Sequence, residues 1–114
     1  MIPFPAVVEP AEDIGSFHFK VEAGHRAFQG HFPGQPILPG LVQVDWALRL
    51  GAQTFGRMGR FKALEHLKFQ ATIGPEEPLE LRLAWNPESG ELAFEYASPT
   101  GLKSKGYARF EPLS

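Results

Sequence analysis

The residues of this chain that could do chemistry are gathered in one stretch, GHFPGQPILPGLVQVD, residues 30–45. His31 is a candidate general base, and the amide of Gly40 a candidate donor to an oxyanion. Asp45 is a candidate general acid. Together they supply the parts needed to take a proton from the carbon α to a thioester carbonyl and to expel a β-hydroxyl. The enolate formed on the way needs the amide, and the departing hydroxyl needs a proton. Each part also has an ordinary reading. A lone His between aromatics is commonly structural, Asp45 can pair with Arg49 one turn on, and a Gly/Pro loop is commonly only a loop.

The elements that must position these groups follow from their neighbours. Between positions 30 and 40 the chain holds three glycines, three prolines and one histidine. Each proline fixes its own φ and drives the preceding residue, here Phe32, Gln35 and Leu38, into extended backbone, so the loop is stiff. Gly40 stands where this loop meets LVQVDWALRLGAQTF, residues 41–55, in which only Gly51 disfavours a helix. The first amides of such a helix are unpaired and lie at the positive end of its dipole, which suits an anion or a developing oxyanion. Apolar residues go nearly all the way round, which predicts a helix buried on most sides. Asp45, Arg49 and Gln53 form one narrow polar stripe.

Period-two alternation marks the strands. SFHFKVEA turns Phe17, Phe19 and Val21 to one face. FKALEHLKFQATI places Phe61, Ala63, Leu67, Phe69, Ala71 and Ile73 on a common face, interrupted by Glu65. LELRLAW and ELAFEYA turn Leu79, Leu81, Leu83, Trp85, Leu92, Phe94 and Tyr96 inward, and LKSKGYARF follows. The turns GPEEP, NPESG and SPTG keep the connections short and the pairing antiparallel. The expectation is a single α+β domain, residues 1–114, with a five-stranded antiparallel sheet curled around one helix. A helix apolar on nearly every side needs more cover than one sheet face gives, and a second subunit would supply it and cap a sheet edge.

Composition narrows the function classes. With 114 residues, 43% hydrophobic and 21% charged, the chain is a folded domain and not a disordered one. A net charge of −2 argues against a nucleic-acid surface. The absence of cysteine excludes disulfides, thiolate chemistry and Cys-ligated zinc. MIPFPAVVEP lacks the basic region and apolar run of a secretion signal. The longest uncharged stretch, residues 27–44, is broken by Gly and Pro and cannot span a membrane. The expected location is the cytoplasm. His18 and His66 alternate with lysines on faces read as exposed, and His25 sits in the turn AGHR. With no third ligand beside His25 and His31, no metal site is expected. Arg57, Arg60, Lys62 and Lys68 could meet an acidic partner, although a solvated surface explains each of them as well.

The stretch GHFPGQPILPGLVQVD resembles the signature of the β-hydroxyacyl-acyl carrier protein dehydratases of fatty-acid synthesis, which have the hot-dog fold. His31, Phe32, Pro33, Gly34, Pro36, Pro39, Gly40 and Asp45 match that pattern without insertion or deletion. The order of strand, loop, long helix and four antiparallel strands is also the hot-dog order. PILPGLVQVDWA, with Trp46 after the Asp, is most similar to the stand-alone dehydratases of aryl polyene pigment clusters. The resemblance implies His31 as the base at the α-carbon, and Asp45 from the other subunit of a dimer as the acid. It implies the Gly40 N–H as donor to the thioester carbonyl, with Phe32, Leu41 and Trp46 at the substrate. No cofactor is implied beyond the phosphopantetheine arm of an acyl carrier protein, which would be the partner. Dimerisation would be with a second copy or with another hot-dog subunit.

Two positions depart from the pattern or vary within it. Many members carry Glu where Asp45 stands, and the branch that also isomerises the double bond carries Asp. The usual Gln four residues later is here Arg49. A hot-dog thioesterase is the second reading, but it gives His31 no reason for its Pro/Gly frame. A non-catalytic subunit that stabilises a paired dehydratase is the third, and Arg49 leans that way.

Overall fold

Seven regular elements carry the chain in the computed structural model, which describes residues 1–30 and 34–112. In order they are β1 (Val8–Pro10), β2 (Ser16–Phe19), α1 (Gly40–Phe55), β3 (Arg60–Phe69), β4 (Leu79–Asn86), β5 (Glu91–Ser98) and β6 (Gly101–Glu111). A single 3-10 turn, Arg26–Phe28, lies between β2 and the loop that precedes α1. The strands form one sheet in the order β1-β2-β4-β5-β6-β3, and every neighbouring pair is antiparallel. The sheet wraps around α1, which is the hot-dog arrangement.

The sheet has six strands, not the five expected. The extra one, β1, pairs Val8 with Phe19 and Pro10 with Phe17. Three residues are too few to show an alternation, and Pro10 belongs at an edge because it has no N–H for a further strand.

Helix and sheet meet through the residues the periodicities pick out. Trp46, Ala47 and Leu50 from α1 share one core with Leu81, Leu83, Leu92, Phe94 and Tyr96 from β4 and β5. Leu92 approaches α1 closely at Gly51, where a Cβ would stand 2.7 Å from its methyl group. That contact explains the one residue in the helix that disfavours helix formation. Trp46 is fully buried, its ring centroid 6.1 Å from Phe19, 6.5 Å from Phe4 and 5.5 Å from His25. Burying a side chain of this size contributes on the order of 2–3 kcal/mol.

β3 corrects a second expectation. Its pairing with β6 shifts register between Phe61 and Ala63 and again between Glu65 and Lys68. Phe61 therefore lies opposite Phe110 and Leu64 opposite Ala108, whereas Ala63 lies opposite Arg109. Ala63 does not share the face of Phe61, and Ala71 and Ile73 lie beyond the end of the strand. His66, at φ 53°, sits in the second irregularity. β3 is also an edge strand, and Phe61, Leu67 and Phe69 on it are 40–49% exposed. Among the described residues no helix is long and apolar enough to cross a membrane.

Candidate active site

α1 opens without a side-chain cap. Pro39 is its N-cap in extended backbone, and its carbonyl accepts from the amides of Val42 and Gln43 at 3.1 and 3.2 Å. The Gly40 amide has no acceptor among the described residues. It is one of the unpaired donors with which every helix begins.

The loop ahead of it is fixed at Leu38, which is buried. The Leu38 N–H donates to the Ile73 carbonyl at 2.8 Å, and the Leu38 carbonyl accepts from the Gln43 amide nitrogen at 3.1 Å. The Gly40 Cα faces the ring of Phe69, and a Cβ there would stand 2.8 Å from it. Any larger residue at this position would have to displace the Phe69 ring. Leu38, Gly40, Gln43, Phe69, Ala71 and Thr72 line a mainly apolar pocket of about 370 Å³ beside the helix entrance. A larger hollow, about 520 Å³, lies elsewhere, among residues such as Ile14, Arg82, Glu95 and Lys105; of the expected site residues among those described, none lines it.

Asp45 does not line the pocket at Gly40. Five residues further along a helix it projects about 140° away around the axis. Its carboxylate is held by Arg49, Nη2 at 2.9 Å and Nε at 3.1 Å from the same oxygen. Arg49 is fixed in turn by the N-terminal segment: its Nη2 donates to the Ile2 carbonyl, and its guanidinium stacks 4.3 Å from the centroid of Phe4. The Trp46 indole N–H donates to the same carbonyl at 3.4 Å. The pairing of Asp45 with Arg49 expected from their spacing is thus present, and the two N-terminal anchors are additions that the sequence did not suggest.

The other expected site residues are dispersed. His31 and Phe32 lie outside the described residues. Leu41 is 81% exposed at the start of α1. Trp46 is part of the core described above. His25 is buried and serves as a fastener: its Nδ1 accepts from the Ala27 amide at 2.9 Å and its Nε2 donates to the Phe4 carbonyl at 3.1 Å. Those partners fix its tautomer with the proton on Nε2. His18 and His66 are exposed, as expected.

Sequence reasoning missed a buried polar group behind the helix entrance. Tyr96 donates from its hydroxyl to the Gln43 carbonyl at 2.6 Å, and Ser104 donates to the Gln43 side-chain oxygen at 2.6 Å. Burial, and secondarily the negative charge of Asp45, push the Tyr96 phenol well above its ordinary value. Tyr96 is therefore a fixed donor.

The ApeI-like family, described as ApeI dehydratase, matches residues 7–107, which include both the Pro39–Gly40 entrance and the Asp45–Arg49 pair. The chain belongs to this family. A chain of the dehydratase heterocomplex ApeI:P from Xenorhabdus doucetiae superposes with a TM-score of 0.79 at 27% identity, covering 96% of this chain and 97% of that one. An uncharacterized protein from Erwinia carotovora subsp. atroseptica gives a TM-score of 0.77 at 29% identity, covering 99% and 98%. Among curated relatives, the 3-hydroxyacyl-acyl-carrier-protein dehydratase FabZ of Rhizorhabdus wittichii is 31% identical over 96 residues, 75% of this chain and 61% of the relative. FabZ of Moorella thermoacetica is 28% identical over 109 residues, 79% of this chain and 68% of the relative. This ApeI-like chain spans roughly half to two thirds of the length of the curated relatives it matches.

Proposed function

We propose that this ApeI-like chain dehydrates a 3-hydroxyacyl thioester carried on an acyl carrier protein, giving the trans-2-enoyl thioester. The observation that carries the reading is the family match across the segment in which an unpaired Gly40 amide opens a helix beside an apolar pocket. In this reaction His31 takes the proton from the α-carbon. The electrons of the broken C–H bond form the new double bond, the Cβ–O bond breaks with its pair on oxygen, and Asp45 gives that oxygen a proton. Water leaves. The Gly40 N–H carries the negative charge that develops on the thioester oxygen.

One chain does not bring its own Asp45 to its own Gly40 pocket, so the acid comes from an adjoining hot-dog subunit. That subunit is a second copy or a different chain, and the ApeI:P neighbour is itself a heterocomplex. No cofactor takes part other than the phosphopantetheine arm that carries the substrate. The cytoplasm, where acyl carriers are loaded, is its place of action.

The Asp45–Arg49 ion pair favours a second reading. A carboxylate oxygen already engaged by two guanidinium nitrogens is turned away from a substrate, and a chain carrying such a pair would serve as the supporting subunit of a heterodimer. Mass spectrometry of aliphatic and aryl 3-hydroxyacyl thioesters incubated with the purified protein separates the two. Loss of one water, abolished by His31→Ala, is the expected result. An unchanged substrate with a folded, associated protein would establish the supporting role instead.

A further inference from the structure

Gln43 interrupts an otherwise apolar face of α1, at 3% exposure, where a leucine would cost no desolvation. It is fully paired all the same. Its side-chain oxygen accepts from the Ser104 hydroxyl at 2.6 Å, its nitrogen donates to the Leu38 carbonyl at 3.1 Å, and its own carbonyl accepts from Tyr96 at 2.6 Å. The amide can sit only one way round, because a backbone carbonyl accepts and never donates. Leu38 is thereby gripped on both sides, by Gln43 at its carbonyl and by Ile73 at its N–H, two residues before Gly40.

The same β6 residue governs the opposite wall. Ser104 is the cross-strand partner of Phe69, whose ring covers Gly40. One position on the sheet therefore sets both the loop that leads to the Gly40 amide and the ring that packs on its Cα.

We propose that Gln43, oriented by Ser104, is a positioning residue that fixes the Leu38–Gly40 peptides and so aims the Gly40 N–H at the substrate carbonyl. The inference rests on the dehydratase reading for its consequence in turnover, and on the hydrogen bonds alone for its consequence in structure. Donor placement matters because an oxyanion donor acts only when it is already aligned with the oxygen that gains charge.

Four proteins test it: the full chain as wild type, Gln43→Leu, Ser104→Ala and the double variant. Hydrogen exchange followed by mass spectrometry is expected to show residues 37–42 exchanging about tenfold faster in both variants, with β4 and β5 unchanged. Steady-state kinetics are expected to show kcat down by about tenfold with KM within about twofold, the mark of an interaction made in the transition state. The double variant is expected to match Gln43→Leu alone, because the two residues act as one unit. Unchanged exchange at residues 37–42, or wild-type kcat in a variant whose only defect is a lower Tm, would overturn the proposal. If Gln43→Leu fails to fold, Ser104→Ala decides alone, since it removes one hydroxyl and leaves the helix intact. A wild type that turns over nothing would sink the dehydratase reading, and the exchange result would still decide whether Gln43 holds the loop.

Discussion

Gln43 and Asp45 lie two residues apart on one helix and are held in opposite ways. Gln43 is buried against the sheet by neutral partners from β5, β6 and the preceding loop. Asp45, its side chain 42% exposed, is held by a cation that is itself fastened to the N-terminal segment. A neutral network can be buried at modest cost once every group is paired, and salt does not screen it. A charged pair is cheap only where water still reaches it, and there it contributes little to stability. The helix thus keeps Gln43 inside and leaves Asp45, the proton donor in the proposed reaction, where a substrate or another subunit can reach it.

Three substitutions test that contrast, beginning with the largest effect. Asp45→Asn is expected to lower turnover by at least about a hundredfold. The thermal midpoint should stay near that of the wild type, because a half-exposed ion pair is worth about 0–1 kcal/mol. Parallel kinetics and melting curves check this, and a large loss of Tm with turnover retained would reverse the roles of the two positions.

Tyr96→Phe removes one donor from the neutral network and is expected to cost about 1 kcal/mol at pH 7. The native phenol is raised above its ordinary value of 10.0, so the stability from its protonation is whole below pH 10. That stability is lost as pH rises from there through the native value. Denaturant melts should show the wild type losing this contribution above pH 10, with a shallower loss in the variant. Identical alkaline slopes would remove Tyr96 from the network.

The smallest effect belongs to an exposed pair that does not line the Gly40 pocket. Glu76 is held below its ordinary 4.5 first by a hydrogen bond from Lys20 and then by one from the Ala23 amide. Its contribution is present above pH 4.5 and fades as the pH falls from there through the lower native value. Lys20→Met should flatten the acid melting curve in that window and change little at pH 7. A wide gap at pH 7 would show that exposed pairs in this protein matter more than the contrast allows.

The sequence made some of this legible and hid the rest for definite reasons. α1 and the alternation of β4 and β5 are readable because each buries a regular set of side chains. β3 is misread because two register shifts insert residues that a strict period of two cannot reveal. Asp45 and Arg49 announce their pairing by a spacing of four. Gln43 announces nothing: Tyr96 and Ser104 are distant in the chain, and one Gln in an apolar run has no signature of its own. The anchoring of Arg49 at Ile2 and Phe4 is hidden in the same way.

The strand order has a consequence for how the molecule comes to exist. β4, β5 and β6 are joined by tight turns, with Asn86 paired to Glu91 and Ser98 to Gly101, so this meander closes only short loops. Phe19 must find Leu79, and Arg60 must find Glu111, across long stretches of chain. Folding is therefore expected to nucleate in the meander and to add α1 with its entrance loop late. Substitutions at Leu38 or Gln43 would then leave the refolding arm of a chevron plot in place and raise the unfolding arm. A cell would meet such a defect as a protein that folds on time and does not stay folded.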